Sequence, residues 1–234
     1  MGPRTLKQLH NKRILLFWDY LHIVTFDLPQ RWPPGWLYRG HRDANWPLAP
    51  KLDRDSFLNY RKGVGTRSQH ESRILDAFKN WARPHLKMHP SDEWEWLALA
   101  QHHGLATRLL DWTKNPLAAL FFAVEGHNSG ADSAVWCYAH QGTEVKRKSN
   151  PYKIKTVAYF EPPHVSERIP VQAACFTAHP GRSSWRGPRV KIVIDQASRG
   201  GFREQLADLN VSRATLFPGL DGAADGVNAD FSTS

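Results

Sequence analysis

At 234 residues, 41% of them hydrophobic, the chain holds apolar material for one substantial domain or two small ones, and one compact domain is expected. Its 31 basic against 22 acidic side chains predict attraction to polyanions such as nucleic acid, with solubility alone as the alternative. No apolar run reaches a membrane span, and Cys137 and Cys175 stand outside any CxxC or Cys/His spacing, which excludes a patterned zinc site and fits buried free thiols in the cytoplasm.

Residues 1–35 read as a mixed, basic N-terminal extension packed on the domain and ending in the turn-rich stretch 31–35. Trp36–Gly40 follows as a short strand closed by glycine. Ser68 and Glu71 form a capping-box pattern, so a helix is expected to start there, with Ile74, Leu75, Phe78 and Trp81 on its apolar face and Pro84 at its stop. A second helix runs from about Asp92 to Gly104 and places Gln101, His102 and His103 on its last turn. A third begins at Pro116, with Leu117, Leu120, Phe121 and Val124 as its buried stripe.

The texture then changes to strands over 134–138, 156–160, 168–177 and 190–194. A short helix over 201–207 and a strand over 213–217 complete the domain, taken as 36–224, and residues 225–234 read as a weakly ordered tail. The segregation of elements favours an α+β fold, with helices of the first half packed on a mixed or antiparallel sheet.

The polar groups concentrate at 101–115. Arg39, at a strand end beside the permissive Gly40, either clasps a phosphate or carboxylate or pairs with a core carboxylate such as Asp111. Thr107, Arg108, Asp111 and Thr113 project from a loop anchored by Leu109 and Leu110. Local structure accounts for part of this, since Asp111 or Thr113 can cap the helix at Pro116 and Arg108 can neutralise Asp111. Of the adjacent histidines, His102 beside Gln101 is favoured as the one that meets a ligand, and no HExxH spacing suggests a metal. Further along, Gln172 is suited to orient a hydroxyl or base edge, and Glu167 is the nearest acid. P-loop, GxSxG and GxGxxG patterns are absent.

These residues resemble the FRG domain family, named for a Phe/Tyr-Arg-Gly tripeptide found here as Tyr38-Arg39-Gly40. The family's longer pattern is similar to Gln101-His-His-Gly-Leu-Ala-Thr-Arg-Leu-Leu-Asp-Trp112 and continues through Asn115–Ala123. Later likenesses at 168–177 and 216–222 extend the resemblance over about 36–224. Ala106 replaces the family's usual proline, and Ala174 a frequent glycine.

The order of these segments also resembles ADP-ribosyltransferases of the Arg-Ser-Glu type. That resemblance implies an ADP-ribosyltransferase-like fold, NAD as substrate, and a toxin or phage-defence role with an antitoxin or regulatory protein as a further partner, while the basic surface points to nucleic acid as acceptor. It places Arg39 and Gly40 at the NAD diphosphate, with Thr107, Arg108 and Thr113 around the cofactor and Asp111 shaping the ribose pocket. Gln101 and His102 would meet nicotinamide or acceptor, and Gln172 with Glu167 the reacting ribose. Gln172 carries no negative charge, so Glu167 or Glu204 is expected to supply it. The rival readings are a non-catalytic nucleotide- or nucleic-acid-binding module, and a nuclease drawing on Asp111 with Glu167 or Asp195.

Overall fold

The computed structural model describes residues 4–28, 35–54, 65–126, 130–141, 143–162, 171–181, 185 and 187–231. The N-terminal segment contributes helix α1 (Leu6–Leu9), strand β1 (Lys12–Ile14) and helix α2 (Phe17–His22), which continues as a π-helical turn over Ile23–Asp27. It therefore adds an edge strand to the sheet and side chains to its core.

Strand β2 (Trp36–His41) precedes helices α3 (Arg67–Ala82) and α4 (Glu93–His102). The cap of α3 is Thr66, whose box closes with Gln69, so Ser68 and Glu71 lie inside the helix. Two capping patterns overlap here, and burial of Glu71 selects the earlier one. Trp81 is 81% exposed, off the apolar face on which the helical period places it. In α4, Asp92 Oδ1 accepts the Glu95 N–H, and Gly104 ends the helix at φ +82°.

The segment read as a loop over 107–113 contains a strand, β3 (Leu109–Thr113). Helix α5 (Pro116–Val124) is capped by Asn115, whose Oδ1 accepts the N–H groups of Leu117 and Ala118, so neither Asp111 nor Thr113 serves as the cap. Strands β4 (Ser133–Ala139), β5 (Ala158–Phe160), β6 (Ala174–Ala178) and β7 (Arg189–Ile194) follow. Residues 168–170 of the expected strand lie outside the described residues. Helix α6 spans Arg199–Asp208. The expected strand at 213–217 is instead helix α7 (Arg213–Leu216), because Ser212 and Thr215 close a capping box. Helix α8 (Leu220–Phe231) runs through most of the segment read as a weakly ordered tail.

The strands form one mixed sheet in the order β1-β7-β4-β2-β3-β6-β5, parallel between β1 and β7 and antiparallel elsewhere. Its strands come from both halves of the chain, so helices and sheet are less segregated than the sequence suggests. One core packs α2, α5 and α6 against β7, β4 and β2, and a second packs α3 and α4 against β3, β6 and β5. The helical layer thus divides above the junction of β2 and β3. Both cysteines are buried free thiols, and burial pushes Cys175 up to about 12. No described helix is long and apolar enough to cross a membrane.

Candidate functional site

Among the described residues, β2 and β3 share one residue pair in register, Tyr38 opposite Thr113. By contrast, β2 pairs with β4 from Trp36 to His41, and β3 with β6 from Leu109 to Thr113. The two central strands therefore part just beyond Tyr38. The guanidinium of Arg39 enters there, donating from Nη1 to the Asp111 main-chain carbonyl at 2.8 Å and from Nε to His41 Nε2 at 3.2 Å.

A cavity of about 330 Å³ lies over this junction, within the ~300–1,000 Å³ common for small-molecule sites. Strand residues Tyr38, Asp111, Thr113 and Phe176 line it, together with Ala98 and His102 from α4 and Phe122 and Glu125 from the α5 side. Arg39, Trp46 and Gln172 also reach it. The junction is where two separately packed layers meet, which is why neither fills it with side chains.

Arg39 does pair with Asp111, but at 3.4 Å, and the Asp111 side chain is 49% exposed. A long, half-solvated ion pair neutralises little. Burial pushes the Arg39 pKa down, Arg54 adds to this, and Asp111 works against both. An anion beside Arg39 would relieve that tension. His41, buried beside Arg39 and Arg54, is held down at about 3 and stays a neutral acceptor for Arg39 Nε.

Gly40 lines the cavity, and the packing of α5 also demands a glycine there: a Cβ would lie 2.2 Å from the Ala119 carbonyl oxygen and 2.5 Å from the Ala123 nitrogen. Thr113 Oγ1 donates to the Gln172 carbonyl at 2.6 Å and accepts the Asn115 N–H at 2.9 Å, tying the end of β3 to the starts of β6 and α5. Gln172 lines the cavity, but its Nε2 donates to the Leu216 carbonyl. Its amide nitrogen is thus committed elsewhere.

Gln101 donates from Nε2 to Asp111 Oδ2 at 2.9 Å and accepts the Thr107 hydroxyl at 2.6 Å. Neither Gln101 nor the fully buried Thr107 lines the cavity, so both support it from behind Asp111. His102 lines the cavity, while His103 is exposed outside it.

Arg108 departs furthest from the role the resemblance implies. Its side chain is 1% exposed, paired with Glu71 and donating from Nη1 to the Pro151 carbonyl at 2.6 Å, so it cannot reach a cofactor in the cavity or neutralise Asp111. Glu167 lies outside the described residues. Glu204 is exposed on α6, and Asp195 pairs with Arg13 at the end of β7; neither lines the cavity.

A second carboxylate at the cavity, besides Asp111, is Glu125 at the C-terminal end of α5. Burial raises its pKa, against the lowering by Arg213, which pairs with it at 3.1 Å, and by Arg42. The sequence does carry a signal for it. An acid at a helix C-terminus faces the negative end of the dipole and needs a tertiary reason to be there. Among the described residues no cluster of His, Cys, Asp or Glu could hold a metal ion.

Residues 34–132 match the FRG domain, a span that runs through β2, α3, α4, β3 and α5 and stops before β4. No curated protein and no solved structure matches the chain.

Proposed function

We propose that this chain, with its FRG-matching segment as the wall of the cavity, is a mono-ADP-ribosyltransferase-like enzyme that cleaves NAD and modifies nucleic acid as a toxin or phage-defence effector. Arg39 carries the reading: an underneutralised guanidinium set where β2 and β3 part, beside Thr113, at the edge of a cavity. This agrees with the arrangement that the ADP-ribosyltransferase resemblance implies, with the arginine on the NAD diphosphate and the threonine strand beside the nicotinamide ribose. A planar fork suits a diphosphate better than any other side chain.

In this reaction the glycosidic C–N bond breaks and nicotinamide leaves with its electron pair. Positive charge develops on the ribose, and an acceptor nucleophile forms the new bond as it gives up its proton. The demand on the protein is positioning and a nearby negative charge. Glu125 supports the second, and Trp112, Phe122 and Phe176 offer apolar walls for the ring systems.

The test is incubation with NAD labelled in its adenylate phosphate, reading nicotinamide release and label transfer to DNA, RNA and protein. Release with transfer to nucleic acid is expected, and Arg39→Ala should weaken NAD binding roughly ten- to a hundredfold, the loss of a charge-assisted contact. Binding of NAD without release would leave a non-catalytic nucleotide-binding module, and absence of NAD binding would sink both.

A further inference from the structure

On the sheet face turned away from α5, indoles and cations alternate. Residues opposite one another in antiparallel strands point to the same side, so Arg39 on β2, Trp136 on β4 and Lys191 on β7 form one row across three strands. Lys191 Nζ stands 5.8 Å from the centre of the Trp136 ring, and the His10 ring lies 6.0 Å from it. His41, two residues along β2 from Arg39, shares this face, and its ring is 6.1 Å from that of Trp46. Arg42 lies over Trp46 at 5.8 Å, and both residues also line the cavity. The row therefore starts at the cavity and crosses β2, β4 and β7.

Arg42, Arg54 and Lys191 make no ion pair among the described residues, and Arg54 lies close enough to Arg39 and His41 to depress the protonation of both. Arg67, Lys114 and Arg147, by contrast, are matched by Asp53, Glu161 and Asp92. Trp46 is 45% exposed, and the indole N–H of Trp136 is buried without a hydrogen-bond partner.

We propose that this row is the path of a single strand of nucleic acid, its phosphates met by Arg42 and Lys191 and its bases stacked on Trp46 and Trp136. The inference rests on reading the cavity as a transferase centre with a nucleic-acid acceptor, and it says how that acceptor arrives. An indole face beside a cation offers a base its stacking partner and the adjoining phosphate its counter-charge. Bases in a duplex are already stacked on one another and cannot use such a platform.

Fluorescence anisotropy with a labelled single-stranded oligonucleotide of about ten nucleotides, without NAD, reads the path apart from the chemistry. Trp136→Ala is expected to weaken binding about tenfold, while Trp136→Phe, which restores a ring, keeps most of it. Lys191→Gln should weaken binding and lower the slope of log affinity on log salt by about 0.7. Wild-type affinity in folded Trp136→Ala and Lys191→Gln proteins, or equal affinity for a duplex of the same sequence, overturns the path. Nicotinamide release by the wild-type protein is measured separately. Oligonucleotide binding that tracks these residues in a protein inert to NAD upholds the path and removes the transferase reading; NAD cleavage with indifferent variants does the reverse.

Discussion

Glu71 Oε1 accepts the main-chain N–H of Arg108 at 2.7 Å while its Oε2 accepts that arginine's Nε at 2.6 Å, and neither side chain is more than 1% exposed. One carboxylate from α3 thus fixes both backbone and side chain at the entrance to β3. Removing either partner strands a buried charge, so Glu71→Ala should cost about 3–5 kcal/mol in urea unfolding. Replacing both by methionine should cost less than the single change. A loss below about 1 kcal/mol for Glu71→Ala would show that the pair is not the lock described.

Glu125 should set the acid limb of NAD cleavage. Its pKa is raised by burial, so the wild-type rate should fall with decreasing pH at an apparent pKa above the ordinary value of about 4.3. Glu125→Gln should abolish that limb and slow cleavage on the order of a hundredfold. The variant also loses a partner for Arg213, so its melting temperature is measured alongside. A full rate in Glu125→Gln would remove the carboxylate from the chemistry.

His41 and His179 make stability depend on pH. Both are held near 3, first by burial; Arg39 and Arg54 then add to it at His41, and Arg67 at His179. A depressed histidine pKa means the unfolded chain binds more protons between about pH 6.5 and pH 3. Their stabilisation is therefore complete above about pH 6.5 and is lost as pH falls through that window, by up to about 1.4 kcal/mol per pH unit for each histidine. Denaturant midpoints between pH 7 and pH 4 should show this slope, and His179→Gln should reduce it by about half. A flat wild-type profile would count against the neutral state of both rings.

Ala173, between Gln172 and the start of β6, has φ +46°, in the left-handed region. Only glycine enters that region without cost, so Ala173→Gly should raise stability by about 0.5–1 kcal/mol, read as a higher midpoint at unchanged slope. A destabilised variant would mean that the alanine methyl packs more strongly than its backbone strains.

Caps and strand texture are local properties, so the starts of α4 and α5 and most of the later strands are legible in the sequence. The partnerships of 107–113 are not. Leu109–Thr113 is a central strand because β2 and β6 lie on either side of it, and those partners are far off along the chain. Arg108 and Arg39 look equally suited to a ligand as isolated residues. Only tertiary pairing separates them, giving one a buried carboxylate and the other a half-exposed one. Glu125 carries no local sign of a ligand role beyond its place at a helix C-terminus, which is itself unusual.

The parallel edge of the sheet has a consequence for synthesis. Lys12–Ile14 finds its register partners only at Ile192–Ile194, so β1 stays unpaired during synthesis until β7 has been made. Through that interval Phe17 also lacks Phe202 of α6, whose ring it meets edge-on. A product cut short before Arg189 would leave β4 without one neighbour and β1 without any, so the sheet on which the cavity rests closes only once β7 has been made.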